Sequence, residues 1–118
     1  MSTLKIESEH SILKIRASTT DRIGSKLLYE HIVELAKEKE IEGATVYRGI
    51  MGFGSSSKIT SSRFWELTEK LPVVIELVDR TEKLRHFFSE IEQDLVTMPK
   101  GCMVALEPTE ILLKKKGK

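Results

Sequence analysis

Gly49, Gly52 and Gly54, followed by Ser55, Ser56, Ser57 and Lys58 and then by Arg63, are the residues of this chain whose types and spacing suit a chemical task. Glycines leave main-chain N–H groups uncovered, so an anion can come close to them, and hydroxyls and flexible cations add further donors. Gly52, Gly54, Ser55, Lys58 and Arg63 therefore form a candidate site for a phosphate or another small anion. The spacing G-x-x-G-x-G matches neither the dinucleotide fingerprint nor the P-loop. The same glycines would equally serve a bulge or a sharp exit from an edge strand. A second cation meets an open backbone at Lys100-Gly101.

Other reactive side chains are scattered. His10, His31 and His86 lie far apart, and none has a second ligand at metal spacing. Cys102 beside Met103 supplies one thiolate and one thioether, too few for a soft-metal site, and Met103 reads as core or interface filling. Asp21, Glu76 and Asp79 form no evident acid and base pair, and no nucleophile has a base near it. Phe64 and Trp65 read as packing anchors rather than stacking platforms. These residues point away from an enzyme.

The elements that must position the glycine segment are legible from periodicity. Ile12 to Ala17 alternates, with Leu13, Ile15 and Ala17 on one face and Lys14 and Arg16 on the other, which predicts a half-buried strand. Leu28, Ile32, Leu35 and Ala36 recur at helical spacing and predict a helix from about Lys26 to about Glu40, stopped by Glu42-Gly43. Ala44 to Ile50 predicts a second strand running into the glycines, and Pro72 to Asp79 a third with proline at its first position. Thr81 is the expected cap of a second helix marked by Leu84, Phe87, Phe88, Ile91 and Leu95. After Gly101 a final extended segment, Cys102 to Leu106, is expected to be interrupted by Pro108 before Ile111-Leu112-Leu113.

The order β-α-β-β-α-β predicts an α+β, ferredoxin-like split β-α-β fold, an antiparallel sheet with both helices on one face. Val74, Val78 and Tyr47 are expected on the other face, which a homo-oligomer would cover. In a ring of such subunits the turn at Lys100 can approach a neighbour's glycine loop. Residues 55–71 are long for a hairpin connection, and the spacing of Phe64, Trp65, Leu67 and Leu71 predicts a short helix in the second half. Residues 1–10 read as an extension and 114–118 as a frayed basic tail.

At 118 residues with 40% hydrophobic content the chain is one domain able to bury a single core. Nineteen Lys and Arg against eighteen Asp and Glu leave a formal charge of +1, which supplies no broad basic field for nucleic acid. One cysteine, no secretion-signal pattern and no apolar run of membrane-spanning length predict a soluble cytoplasmic protein.

Lys5-Ile6-Glu7, the strand Leu13 to Ala17 with Asp21, Leu28-Tyr29-Glu30, the run from Gly43 to Ser57 and the segment Leu71 to Asp79 resemble the PII-like proteins grouped as domain of unknown function 190. The resemblance extends in order to about Leu113. It implies a PII-type homotrimer whose long loop after strand two contacts partner proteins, with adenine nucleotides in clefts between subunits. By position Gly52, Phe53 and Gly54 match the loop-base motif. Lys100 and Gly101 match the later turn only loosely, because the glycine-lysine signature of PII proteins is absent.

The leading expectation is a trimeric regulator without enzymatic activity. It would bind a nucleotide or other small anion and alter contact with a protein partner, such as a transporter or channel, through loop 55–71. A divalent-cation-tolerance-type trimer handling copper or another metal is the second reading, and it requires His31, His86, Cys102 and Met103 to cluster. A small enzyme on the same scaffold is the third.

Overall fold

The computed structural model describes residues 9–54, 59–61 and 70–117. Their order is β1 (His10–Ser18), β2 (Arg22–Ile23), β3 (Lys26–Leu27), α1 (Leu28–Glu38), β4 (Gly43–Arg48), β5 (Met51–Gly52), β6 (Thr60–Ser61), β7 (Pro72–Arg80), α2 (Thr81–Thr97) and β8 (Met103–Thr109). The main sheet has strand order β4-β7-β1-β8 with every pairing antiparallel. This is the predicted ferredoxin-like arrangement, with α1 and α2 as its two crossovers. The expectations for residues 1–8 and for most of 55–69, including Ser55, Lys58, Arg63 and the short helix, lie outside the described residues.

Alternation along β1 and β7 decides what each sheet face does. Leu13 and Ile15 on β1, with Val73, Ile75 and Leu77 on β7, are buried against the helices. From α1 come Leu28, Ile32 and Ala36, and from α2 Leu84, Phe87, Ile91 and Leu95, each set at the 3–4 residue spacing of one helical face. Each fully buried Leu, Ile or Phe of this layer stabilises the fold by about 1.5–3 kcal/mol.

The intervening residues form the outer face in four rows across the sheet. Thr109, His10 and Arg80 make the first, Glu107, Ile12, Val78 and Gly43 the second, Ala105, Lys14, Glu76 and Thr45 the third, and Met103, Arg16, Val74 and Tyr47 the fourth. Val74, Val78 and Tyr47 thus lie on the expected face. Tyr47 is half-exposed and Met103 more so. Lys14 bridges Glu107 at 3.4 Å and Glu76 at 4.0 Å in the middle of this face.

Several boundaries differ from the periodic reading. Gly24 adopts φ +63°, a left-handed conformation that closes a two-residue turn, so Lys26–Leu27 pairs with Arg22–Ile23 and the helix starts only at Leu28. The helix stops at Glu38 rather than Glu40. Glu40 takes φ 62°, while the Ile41 N–H donates to Ala36 O at 2.9 Å and the Glu40 N–H to Lys37 O at 3.1 Å, a Schellman ending built on glutamate. Thr81 does not cap α2. Arg80 holds the N-cap position without a side-chain bond, and Thr81 Oγ1 instead pairs with Ser11 Oγ at 2.5 Å. Pro108 does not interrupt β8, because this edge strand pairs on one side only and tolerates a missing N–H.

Candidate functional site

Strand β4 ends at Arg48, and the glycines leave the ladder there. The Gly49 N–H still donates to Pro72 O at 2.8 Å, after which Met51–Gly52 forms its own short pairing with Thr60–Ser61. A Cβ on Gly49 would come within 3.3 Å of Pro72, and one on Gly52 within 3.1 Å of its ring, whereas one on Gly54 would meet nothing within 4 Å. Gly49 and Gly52 are therefore glycine because the loop base lies flat against Pro72. Gly54 carries no such constraint. Phe53 beside it is exposed, as are Ile50, Met51 and Ile59.

Pro72 is itself held by its neighbours. The Leu71 N–H donates to Thr19 Oγ1 at 3.0 Å, and the Thr19 N–H returns to Leu71 O at 2.9 Å, which ties the loop's far end to the turn after β1. That turn is fixed by buried Asp21, whose carboxylate accepts the Ser18 N–H at 2.9 Å while its carbonyl accepts the Leu28 N–H at 2.7 Å. Both ends of the long loop thus spring from a hydrogen-bonded platform.

Lys100 and Gly101, both exposed, precede β8. Because β4 and β7 run antiparallel, as do β7 with β1 and β1 with β8, the end of β4 and the start of β8 share one end of the sheet. They occupy its opposite edges. Three strand spacings separate them, about 14 Å. One subunit therefore does not bring Gly52–Gly54 and Lys100–Gly101 together. Cys102 is an exposed residue whose thiol is pushed above its ordinary value by partial burial and by the Asp21 carboxylate.

The DUF190 family model, described as "Uncharacterized ACR, COG1993", matches residues 10–111. The chain belongs to the DUF190 family. It is 38% identical over 101 residues to a UPF0166 protein of Aquifex aeolicus (strain VF5), spanning 86% of this chain and 91% of that one. A UPF0166 protein of Methanocaldococcus jannaschii is 36% identical over 80 residues, 68% of this chain and 73% of that one. Among solved structures, a protein of Thermus thermophilus assigned as PII-like signaling superposes with a TM-score of 0.62 at 16% identity, covering 86% of this chain and 87% of that one. CPII, a nitrogen regulatory PII-like protein from Thiomonas intermedia K12 bound to ADP, AMP and bicarbonate, superposes with a TM-score of 0.60 at 12% identity, covering 86% and 88%. These likenesses establish a PII-like fold.

The histidines of this DUF190 chain face different carboxylates. His10 meets Glu42 at 3.4 Å, His31 meets Asp94 at 3.9 Å and His86 meets Glu90 at 3.4 Å. Among the described residues no three His, Cys, Asp or Glu side chains gather as metal ligands, and no helix is long and apolar enough to cross a membrane. Arg48, exposed on the last residue of β4, and Arg22, whose guanidinium donates to Ser25 O at 2.8 Å, are cations at the loop end of the sheet that sequence reasoning passed over. Position beside the glycines could have flagged Arg48. Nothing local flags Arg22, which arrives through the β2–β3 hairpin.

Proposed function

We propose that this DUF190 chain assembles as a homotrimer and binds a nucleotide, an adenine nucleotide foremost, or another small anion in clefts between subunits. Gly52, Phe53 and Gly54 of one copy would meet Lys100 and Gly101 of the next, with Ser55, Lys58 and Arg63 contributed by the loop. The supporting observation is the placement of these two groups at one end of the sheet on opposite edges, about 14 Å apart, a separation that closes when a β4 edge meets a neighbour's β8 edge. The apolar positions Ile12, Val74, Val78 and Tyr47 on the uncovered face support self-association. That CPII carries ADP and AMP makes adenine nucleotides the first ligands to try.

The mechanism makes and breaks no bond. A ligand that binds better to one arrangement of loop 55–71 shifts the loop toward that arrangement and so changes its fit to a protein partner. Calorimetric titration with ATP, ADP, AMP and cyclic nucleotides, with and without magnesium, on protein of measured oligomeric mass tests the reading. Saturable binding lost in a Gly54→Glu variant, whose Cβ position is open, is the expected result. Absence of binding by the whole series, or binding unchanged in that variant, would overturn it.

A further inference from the structure

The charged residues in the middle of the outer sheet face are unevenly paired. Lys14 on β1 lies between Glu107 on β8, at 3.4 Å, and Glu76 on β7, at 4.0 Å, so one ammonium group serves two carboxylates. Arg16, two residues farther along β1, faces the same side of the sheet and is exposed. Among the described residues it has no ion pair, and its neighbours across the sheet are Val74 and Met103. The face therefore carries a surplus carboxylate and an unanswered guanidinium.

That imbalance restricts what can cover the face. An uncharged surface would strip water from Arg16 without giving it a partner, which is strongly unfavourable. A surface of phosphates would answer Arg16 but repel Glu76 and Glu107. The occupant must bring a carboxylate to Arg16 and a cation to the surplus carboxylate. A second copy of this face carries both. Its Lys14 and Arg16 balance its Glu76 and Glu107, so the face can meet itself without leaving net charge behind, while Ile12, Val74 and Val78 supply apolar surface around the charges. Of the two carboxylates Glu107 is the freer, since its side chain is 52% exposed against 24% for Glu76 and stands on an edge strand.

We infer that self-association through the outer face pairs Arg16 of one copy with Glu107 of the next. The inference rests on the homo-oligomer reading above and deepens it, because it names the contact that makes a second copy the fitting partner. Lys14 keeps Glu76 within its own subunit, and the planar guanidinium of Arg16 can donate to both oxygens of the incoming carboxylate. The pair selects more than it binds. Desolvating two charges offsets much of their attraction, whereas a wrong register sets like charges against each other.

The test uses the full-length protein and follows its mass on dilution by analytical ultracentrifugation. Arg16→Glu sets two carboxylates against each other and should raise the dissociation concentration about tenfold or more. Because Arg16 is exposed and makes no ion pair in its own subunit, the circular dichroism should stay that of the parent. Glu107→Arg should weaken assembly in the same direction. The double reversal R16E/E107R restores opposite charges and should return to within about threefold of the parent. R16E/E107Q removes the repulsion without reversing the pair and should recover part of the loss, which keeps the test open should the double reversal not fold. An oligomeric parent left unweakened by Arg16→Glu overturns the pairing alone, and so do second-site variants that assemble no better than Arg16→Glu itself. A parent that is monomeric throughout overturns the homo-oligomer reading and the pairing with it.

Discussion

Each end of the β4-β7-β1-β8 sheet carries a buried aspartate that accepts main-chain N–H groups, but the two differ in what surrounds it. At one end Asp79 Oδ1 accepts the Arg80 N–H at 2.5 Å, Asp79 Oδ2 accepts the Glu42 N–H at 3.0 Å, and Lys83 Nζ reaches both Asp79 at 3.5 Å and Glu40 O at 2.7 Å. Ser11 pairs with Thr81, and His10 and Lys114 converge on Glu42. At the other end glycines lie against Pro72, and exposed Phe53, Ile50 and Ile59 surround the base of a long loop. Charge-assisted hydrogen bonds knit the first end to both crossovers; at the second, buried Asp21 holds the turn after β1 and that turn is tied to Leu71, while Gly54 meets nothing within 4 Å of a Cβ position. A scaffold clamped at one end can let the other respond to a ligand without loosening the core.

Substitutions at either end, and on the face between them, break or sharpen that contrast. Asp79→Ala removes the acceptor of two main-chain donors at the clamped end and should cost about 2–4 kcal/mol in urea unfolding. Val74→Glu puts a charge on the uncovered face between Tyr47 and Arg16, and should raise the dissociation concentration of the proposed oligomer by about a hundredfold while sparing the subunit fold. Gly52→Val at the loop end forces a side chain toward Pro72 and should cost about 1–2 kcal/mol in the same urea measurement. Gly54→Ala, with nothing within 4 Å, is its control and should stay within about 0.5 kcal/mol of the parent.

A pH dependence at the clamped end completes the series. The hydrogen bond to Lys114 and the neighbouring His10 hold the Glu42 carboxyl below its unfolded value, so its contribution is present above the ordinary glutamate range and is lost as pH falls through the folded value. Glu42→Gln should therefore lower stability by no more than about 1 kcal/mol near neutral pH, with the gap to the parent closing in acid. Denaturant midpoints at neutral and acid pH check the sign.

The core strands and helices were legible because one period governed each: alternate residues on β1 and β7, and 3–4 residue spacing on α1 and α2. What escaped the sequence depended on single backbone conformations or on contacts between distant residues. The β2–β3 hairpin hangs on the left-handed Gly24, and the end of α1 on Glu40, a residue type that gives little warning of that conformation. The expected Thr81 cap failed because Ser11, seventy residues earlier, pairs with its hydroxyl. For the candidate site, the sequence located the glycines but could not separate their roles. Gly49 and Gly52 answer to Pro72, which comes from the far side of the loop.

A mixing experiment tests most directly the central claim that the ligand site is shared between copies. Gly54→Glu and Lys100→Glu variants, each unable to bind ATP or ADP alone, are unfolded together, refolded at equal ratio and titrated with both nucleotides. A shared site requires an intact loop base from one copy and an intact Lys100 from the next, so random trimers should regain about one quarter of the parent's sites. A mixed assembly that binds no more nucleotide than either variant alone would contradict the account.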